Sequence, residues 1–453
     1  MKKHLLFTER RMIKSYASEG NLLMLAAILA IIIVNIPSLT ESYNTFWTQP
    51  ISFQIGPFNP LSHHGEPMSL LQFINDALMA IFFLHVGLEI KREVLVGELK
   101  SFRQALLPII AACGGMITPV LVFYALGRGS DFVNGMAIPM ATDIAFSLGV
   151  LSLLGKRVPT SLKVFLTTLA VVDDLGGILV IAIFYSTEIH LSMLAIAACL
   201  FGVLLVGSHQ KIKNIFFYLG IGAIIWYLFL NAGIHPTIAG VLIAFCLPAK
   251  PSVDTRKYVH VIQEDIDQLR EEDEKLGHPQ NILNNTQIDL LKRIESNSDK
   301  VISPLQNLED SLRPIVNYFI IPLFAFSNAG IFFGDLAFSS IFEGVSLSIL
   351  CGLVIGKFLG IFTFSWACIK CNLAPMPKHC NWKIMASISM LGGIGFTVSL
   401  FIANLSFGAN SPEMHTMLNN AKLGVVVGSI ISGILGYWML HTTLPKEEDI
   451  PHE

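Results

Sequence analysis

The stretch Leu166–Tyr185, LTTLAVVDDLGGILVIAIFY, is long and apolar enough to cross a bilayer, yet it carries two adjacent carboxylates near its middle. One Asp at the centre of a membrane helix costs about 2.5–3.5 kcal/mol of insertion free energy. Acidic residues at this depth face a cavity or a partner inside the bundle and usually serve a function. We therefore expect Asp173 and Asp174 to form part of a functional site.

The composition of the whole chain is that of a membrane protein. Its 453 residues are 53% hydrophobic and 14% charged, whereas soluble domains carry about 25% charged residues. Hydropathy predicts an all-α polytopic membrane protein with about twelve transmembrane helices, forming a single transmembrane domain over residues 1–453. The predicted spans are 21–40, 69–90, 104–126, 133–154, 162–185, 190–207, 214–230, 232–248, 314–334, 342–368, 384–407 and 420–441.

Two connections between the predicted spans are long. Residues 41–68 combine alternating polarity with Gly and Pro, which predicts a small β-hairpin. Residues 249–312 are rich in charge and predict a solvated, partly helical insert between spans 8 and 9. Lys and Arg concentrate in every second loop, so both termini and the insert are predicted to be cytoplasmic and the hairpin extracytoplasmic.

Two spans carry helix-breaking residues. In span 4, Pro139 removes a helix donor shortly before Thr142 and Asp143. In span 11, MLGGIGFTVSLFIA contains Gly393 and Gly395, which favour local unwinding. Spans 3–5 and 10–12 start from opposite sides of the membrane under the predicted topology. They therefore predict two inverted three-helix repeats, each with a broken middle helix that contributes to a site at the membrane midplane.

Charged residues converge on this predicted site. Asp143 and the Asp173–Asp174 pair lie at similar depth on consecutive antiparallel spans, and Lys357 is the lone cation in the middle of span 10. Neighbouring helix residues point about 100° apart, so one aspartate can face a cavity while the other faces a neighbouring helix. Lys357 either only neutralises an aspartate or also takes part in the chemistry. Asp143 can act as a helix-break cap, with or without a further role.

These residues predict exchange of a cation for protons. A buried carboxyl can titrate near neutral pH, and it holds either a proton or a hard cation such as Na⁺. Two participating aspartates would carry more protons than sodium ions, which makes the exchange electrogenic. A sodium-coupled solute symporter is an alternative. An intramembrane aspartyl protease is a weaker one, because the glycine-rich span reads GGIGFT without an Asp. We therefore expect no enzyme activity.

A further alternative concerns the cysteines. Cys368, Cys371 and Cys380 with His379 faintly resemble a zinc cluster, but prolines interrupt the spacing, and free thiols are expected.

Several segments together resemble the signature segments of NhaA-type sodium/proton antiporters. They are INDALMAIFFLHVGLEIKRE, IPMATDIAFSLGVLSLLGKRVP, LAVVDDLGGILVIAIFY, IPLFAFSNAG, GLVIGKFLGI and GGIGFTVSLFIA. The resemblance runs from about residue 15 to 441, with the spans in order. It implies electrogenic Na⁺ (or Li⁺)/H⁺ antiport by alternating access, with pH-dependent activity, in the bacterial inner membrane. It also implies a homodimer formed through the hairpin at 51–66, no cofactor beyond the transported ions, and no nucleic-acid partner.

The resemblance further implies roles for individual residues. Asp174 matches the family's Na⁺-binding aspartate, and Asp173 matches the neighbour that pairs with the membrane lysine, here Lys357. Thr142 and Asp143 match the broken-helix pair, whose charge offsets the facing half-helix ends. The resemblance also implies a group of funnel and pH-response residues, namely Glu89, Glu93, Asp76, His235 and Glu309. Arg313 stands where some members have a histidine.

Overall fold

Helices form most of the part of the chain that the computed structural model describes. That part comprises residues 20–51, 53, 59–63, 66–130, 132–186, 189–210, 212–250, 255–276, 283–334, 338–408 and 412–445. In chain order the α-helices are α1 (Gly20–Val34), α2 (Pro37–Thr48), α3 (Leu70–Leu95), α4 (Phe102–Leu126), α5 (Ile144–Ser152), α6 (Thr160–Phe184), α7 (Leu191–His209), α8 (Ile215–Ala232), α9 (Thr237–Cys246), α10 (Thr255–Leu276), α11 (Asn285–Val301), α12 (Pro304–Ile315), α13 (Ile321–Asn328), α14 (Gly344–Lys370), α15 (Trp382–Leu391), α16 (Phe396–Phe407) and α17 (Pro412–Thr443).

Within the described residues, three membrane helices contain a widened π turn. These turns cover Ile74–Leu78 within α3, Val316–Ile320 between α12 and α13, and Gly352–Gly356 within α14. Single π turns inside α-helices frequently occur at functional sites. The turn in α14 ends directly before Lys357, and the turn in α3 contains Asp76.

The described helices establish a multi-pass membrane protein. Eight are long and apolar enough to cross a bilayer, and the total reaches ten if each of two bent pairs, α1 with α2 and α15 with α16, counts as one span. The helix α9 is apolar but shorter. All of these segments are helical, and most of their length is α-helix.

The first and eighth predicted spans differ from the structure. The chain bends by 115° between α1 and α2 instead of continuing as one helix over 21–40. Pro37 lacks an N–H and suits the first turn of a new helix, so it starts α2 in a new direction. The span predicted over 232–248 is also shorter, because Gly233 ends α8 in the left-handed conformation, with φ of 79°.

The chain is broken in both spans that carry helix breakers. The first half of span 4 is a 3₁₀ helix, Val133–Met140, and not an α-helix. An extended segment over 141–143 then leads into α5. In span 11 the helices α15 and α16 are separated by residues 392–395 and bend by 44°.

A close helix contact positions the central lysine. A Cβ atom added to Gly360 on α14 would lie 2.1 Å from the carbonyl oxygen of Gly114 on α4, and one added to Gly114 would lie 2.4 Å from the carbonyl oxygen of Gly360. Small residues allow such backbone approach in membranes, where close packing drives helix association. The contact holds Lys357, one turn before Gly360, toward the interior of the bundle.

The two long connections contain regular structure. Residues Ser62–His63 (β1) pair antiparallel with Glu66–Pro67 (β2). Residues 52, 54–58 and 64–65 of the predicted hairpin lie outside the described part, as do the basic residues 1–19, so the hairpin over 51–66 stays a prediction. In the insert, α10 packs against α11, and Arg293 contacts the buried carboxylate of Asp265 at 2.8 Å.

Candidate functional site

One carboxylate joins the two broken spans. Asp143 Oδ1 accepts a hydrogen bond of 2.9 Å from Phe146 N and thereby caps α5. Asp143 Oδ2 accepts bonds of 3.0 Å from Thr397 N and 2.6 Å from Thr397 Oγ1, at the start of α16. Each helix N-terminus presents unpaired N–H groups and a partial positive charge, which a carboxylate satisfies. Asp143 therefore is a cap, and it caps two helices instead of one.

Hydrogen bonds join the broken part of span 4 to the broken part of span 11. Asp143 N donates to Ile394 O at 2.6 Å, and Thr142 Oγ1 donates to Gly392 O at 2.8 Å. Ser399 Oγ donates to Ile138 O at 2.7 Å. These bonds satisfy backbone groups that could not remain unpaired at membrane depth.

The predicted glycines permit this crossing through their lack of a side chain. A Cβ atom on Gly393 would lie 2.4 Å from Leu353 O, and one on Gly395 would lie 3.0 Å from Ala141 O. The distance from Gly393 to the backbone of α14 is too short for a side chain, and a side chain at Gly395 would force the backbone of span 4 to shift by a few tenths of an ångström. The glycines thus serve close approach as well as unwinding.

Lys357 and Asp173 form an ion pair beside the crossing. Both side chains are 0% exposed, and Lys357 Nζ contacts Asp173 Oδ2 directly. Lys357 Nζ also donates to Thr142 Oγ1 at 2.8 Å. Thr142 therefore links the ion pair to the broken span, because its own hydroxyl donates to Gly392 O.

Asp174 faces a different direction from Asp173. Its side chain is 4% exposed, and among the described residues its Oδ1 atom has no hydrogen-bond partner. It lines a cavity of about 80 Å³ together with Thr142 and Asp143. Glu89 and Arg313 line the same cavity, so it extends from the crossing toward charged residues near the helix ends. A cavity of this size can hold water or a partly hydrated cation.

A cluster of charged residues surrounds the end of this cavity. Arg92 Nε lies 3.0 Å from Glu309 Oε1, and Arg313 lies 3.6 Å from the same oxygen. Burial raises the pKa of Glu309 to about 7; Arg92 and Arg313 oppose that shift, and Glu89 adds to it. Glu93 contacts Arg92 at 3.3 Å and does not line the cavity.

The predicted funnel and pH-response residues fall into two separate groups. Asp76 lies near the start of α3, 3.7 Å from His235 Nε2. Glu89 lies near the end of the same helix, about 20 Å away at 1.5 Å per residue. Asp76 and His235 therefore form a pair of their own, away from the Glu309 cluster.

Sequence reasoning did not identify two of these contacts. The contact of Arg92 with Glu309 joins distant parts of the chain, although the spacing of three residues between Arg92 and Glu89 places both on one helix face. Thr397 follows the glycines of span 11, and its bonds to Asp143 cannot be read from that position. His85 also lines the cavity, and its Nε2 is buried without a hydrogen-bond partner in the described part of the chain.

The described residues contain no group of three His, Cys, Asp or Glu side chains placed to hold a metal ion. Cys368, Cys371 and Cys380 are free thiols. Asp174, Asp143 and Glu89 are the carboxylates among the described residues that line the cavity, and of these Asp174 has a buried oxygen without a hydrogen-bond partner.

Comparison with known proteins gives consistent matches along nearly the whole chain. The family described as Na⁺/H⁺ antiporter 1 matches residues 10–440. The Na⁺/H⁺ antiporter NhaA of Bacteroides fragilis is 53% identical over 426 residues, covering 94% of this chain and 95% of that protein. The proteins of that name from Bacteroides thetaiotaomicron and Phocaeicola vulgatus are 54% identical over 433 residues (94% of each chain) and 51% identical over 446 residues (97% of each chain).

Proposed function

Because the chain belongs to the Na⁺/H⁺ antiporter 1 family and is a Na⁺/H⁺ antiporter, we propose that Asp174 is the group at which Na⁺ and H⁺ compete. The observation that carries this proposal is the buried Asp174 carboxylate, which lines the cavity with an oxygen that has no partner in the described chain. Asp143 is occupied by a double helix cap. Asp173 also has an oxygen without a hydrogen-bond partner in the described chain, but it is held in an ion pair with Lys357 and is not among the residues that line the cavity. A deprotonated Asp174 offers hard oxygen to Na⁺, and a protonated one is neutral and binds Na⁺ poorly.

Asp173 and Lys357 are proposed to supply the second exchangeable charge. Na⁺ bound at Asp174 would sit beside this ion pair and could displace a proton from it. One sodium ion would then exchange for more than one proton, which makes transport electrogenic. Li⁺, a smaller hard cation, is proposed to use the same carboxylate. Asp173 and Asp174 are coupled, so their apparent pKa values belong to the pair and not to either residue.

Alternating access is proposed to expose this site to each side in turn. The crossing of the broken spans through Asp143 supports the arrangement of two inverted three-helix repeats. The short α9 and the apolar helix that ends with α13 would complete twelve spans when added to the ten candidates. We propose one transmembrane domain over residues 1–453, with a charged cytoplasmic insert at 249–312.

The Glu309 cluster is proposed to make transport pH-dependent. Its carboxyl changes charge near pH 7, between two arginines and next to a cavity that leads to Asp174. Asp76 and His235 form a second pH-responsive pair in this proposal. Glu93 is proposed to take part through Arg92.

From family membership we also propose the location and assembly of the protein. It would lie in the bacterial inner membrane with both termini cytoplasmic and form a homodimer through residues 51–66. Transport would need no cofactor and no nucleic acid. The comparisons support neither a solute symporter nor a protease, and the chain is a transporter and not an enzyme.

The test is proton flux in vesicles that contain the purified protein. Added Na⁺ or Li⁺ should drive proton movement without any organic solute, and Asp174→Asn should abolish it. Asp267→Asn, on the exposed face of α10 in the insert, is the matched control and should keep full activity. Cation-driven flux that persists in Asp174→Asn refutes the proposed site, and flux that requires a solute favours a symporter.

A further inference from the structure

A large basic cavity lies where the insert meets the membrane domain. It has a volume of about 490 Å³ and lies between the start of α8, the helix α11 and the start of α12. Three lysines line it: Lys213 precedes α8, and Lys292 and Lys300 belong to α11. Glu295 is the acidic residue among its described lining residues.

The charge of this cavity is not neutralised by the described part of the chain. Lys213 and Lys292 form no ion pair there, although Glu295 lines the same space. Lys300 lies 5.7 Å over the ring of Tyr258, an interaction that keeps its positive charge. Three cations around one carboxylate leave an excess of positive charge, which a bound anion would offset.

The walls of the cavity come from two parts of the molecule. Ile215 belongs to a membrane helix, whereas the lysines of α11 belong to the insert. Pro304 and Asn307 come from α12, the helix that also carries Glu309. A ligand held here would contact the insert, a membrane helix and α12 at once.

We propose that this cavity binds a phosphate-bearing anion and that the anion fastens the insert to the membrane domain. Lys ammonium groups on flexible stems suit phosphate oxygens. The apolar side chains of Ile215 and Ile302 provide a surface for the uncharged part of the ligand. An anionic lipid headgroup and a soluble phosphate ester share this chemistry. The inference goes beyond cation exchange and does not depend on the role of Asp174.

The experiment measures stabilisation of the purified full-length protein in detergent, because a ligand that binds the folded state raises the unfolding temperature. The probes are potassium phosphate against potassium chloride at equal ionic strength, and short-chain phosphatidylglycerol against short-chain phosphatidylcholine. The test variant replaces Lys213, Lys292 and Lys300 by Gln. The control variant replaces Lys370, Lys378 and Lys383 by Gln, which removes the same charge outside the cavity.

We expect the test variant to bind the effective probe roughly ten- to a hundredfold more weakly, and the control variant to bind it as the unmodified protein does. Glu295→Gln should bind more tightly, because it removes the acidic residue beside the ligand. A response to phosphatidylglycerol alone identifies a lipid headgroup, and a response to phosphate identifies a soluble ligand. Equal loss in both triple variants, or no response of the unmodified protein to either probe, overturns the proposal. Neither outcome bears on cation-driven flux, so a failure of the anion-binding proposal is distinct from a failure of the proposed role of Asp174.

Discussion

Replacing either partner of the Lys357–Asp173 pair should destabilise the protein more than replacing both. Both side chains are fully buried, and Lys357 Nζ is otherwise bonded only to Thr142 among the described residues. Lys357→Met leaves the Asp173 carboxylate without its counter-charge, and Asp173→Asn leaves the ammonium group without its counter-charge. Removal of one partner of a buried pair costs about 3–5 kcal/mol, whereas replacement of both by neutral groups is often close to neutral.

The assay is the unfolding temperature of the purified variants in one detergent at one pH. The expected order is unmodified protein, then the double variant, then the two single variants. Lys370→Met is the matched control, since Lys370 is exposed at the end of the same helix, α14. If the single variants match the unmodified protein, or if the double variant loses the sum of both single losses, the two groups are not coupled and the reasoning is wrong.

The same double variant separates a structural role from a transport role. A purely neutralising pair could be exchanged for Met and Asn without changing the number of protons moved per sodium ion. We expect that number to fall, because Asp173 is proposed to carry one of the exchanged protons. An unchanged proton count in a stable double variant would assign the pair to stability alone.

Three further outcomes are expected. Gly393→Ala should abolish exchange, because its Cβ would lie 2.4 Å from Leu353 O, whereas Gly177→Ala, with open space around it, should retain vesicle flux. Burial raises the pKa of Glu309 to about 7, above the ordinary value near 4.3. The folded protein therefore loses stability as the pH rises from about 4.3 to about 7. Glu309→Gln should remove this decline in unfolding temperature and flatten the activity profile around pH 7. Asp143→Ala removes two helix caps, each worth about 1 kcal/mol, and should lower the unfolding temperature more than a single-cap change such as Asn381→Ala at the start of α15.

Local sequence patterns predicted the parts of the site that depend on local geometry. The 100° step between neighbouring helix residues anticipated that Asp173 and Asp174 point in different directions, and three glycines in four positions anticipated the break after α15. Patterns could not identify Thr397 as the partner of Asp143, because that contact joins residues more than two hundred positions apart. The pairing of Glu309 with Arg92 was missed for the same reason.

The first span illustrates a different limit. Hydropathy measures apolar length, and residues 21–40 are predominantly apolar, so hydropathy predicts one helix. The direction of the chain after Val34 depends on the backbone of Pro37, which an average over a window does not register. The 3₁₀ form of Val133–Met140 likewise depends on hydrogen bonds that hydropathy does not measure.

The shared cap at Asp143 restricts which rearrangements of the bundle are feasible. The Asp143 carboxylate accepts three hydrogen bonds from the starts of α5 and α16. Separating these helices would break bonds to a charged group, each worth about 1.5–3 kcal/mol. The motion proposed to expose Asp174 to each side of the membrane in turn should therefore move α5 and α16 as one rigid body. The displacement would occur at the contacts of this pair with the surrounding helices.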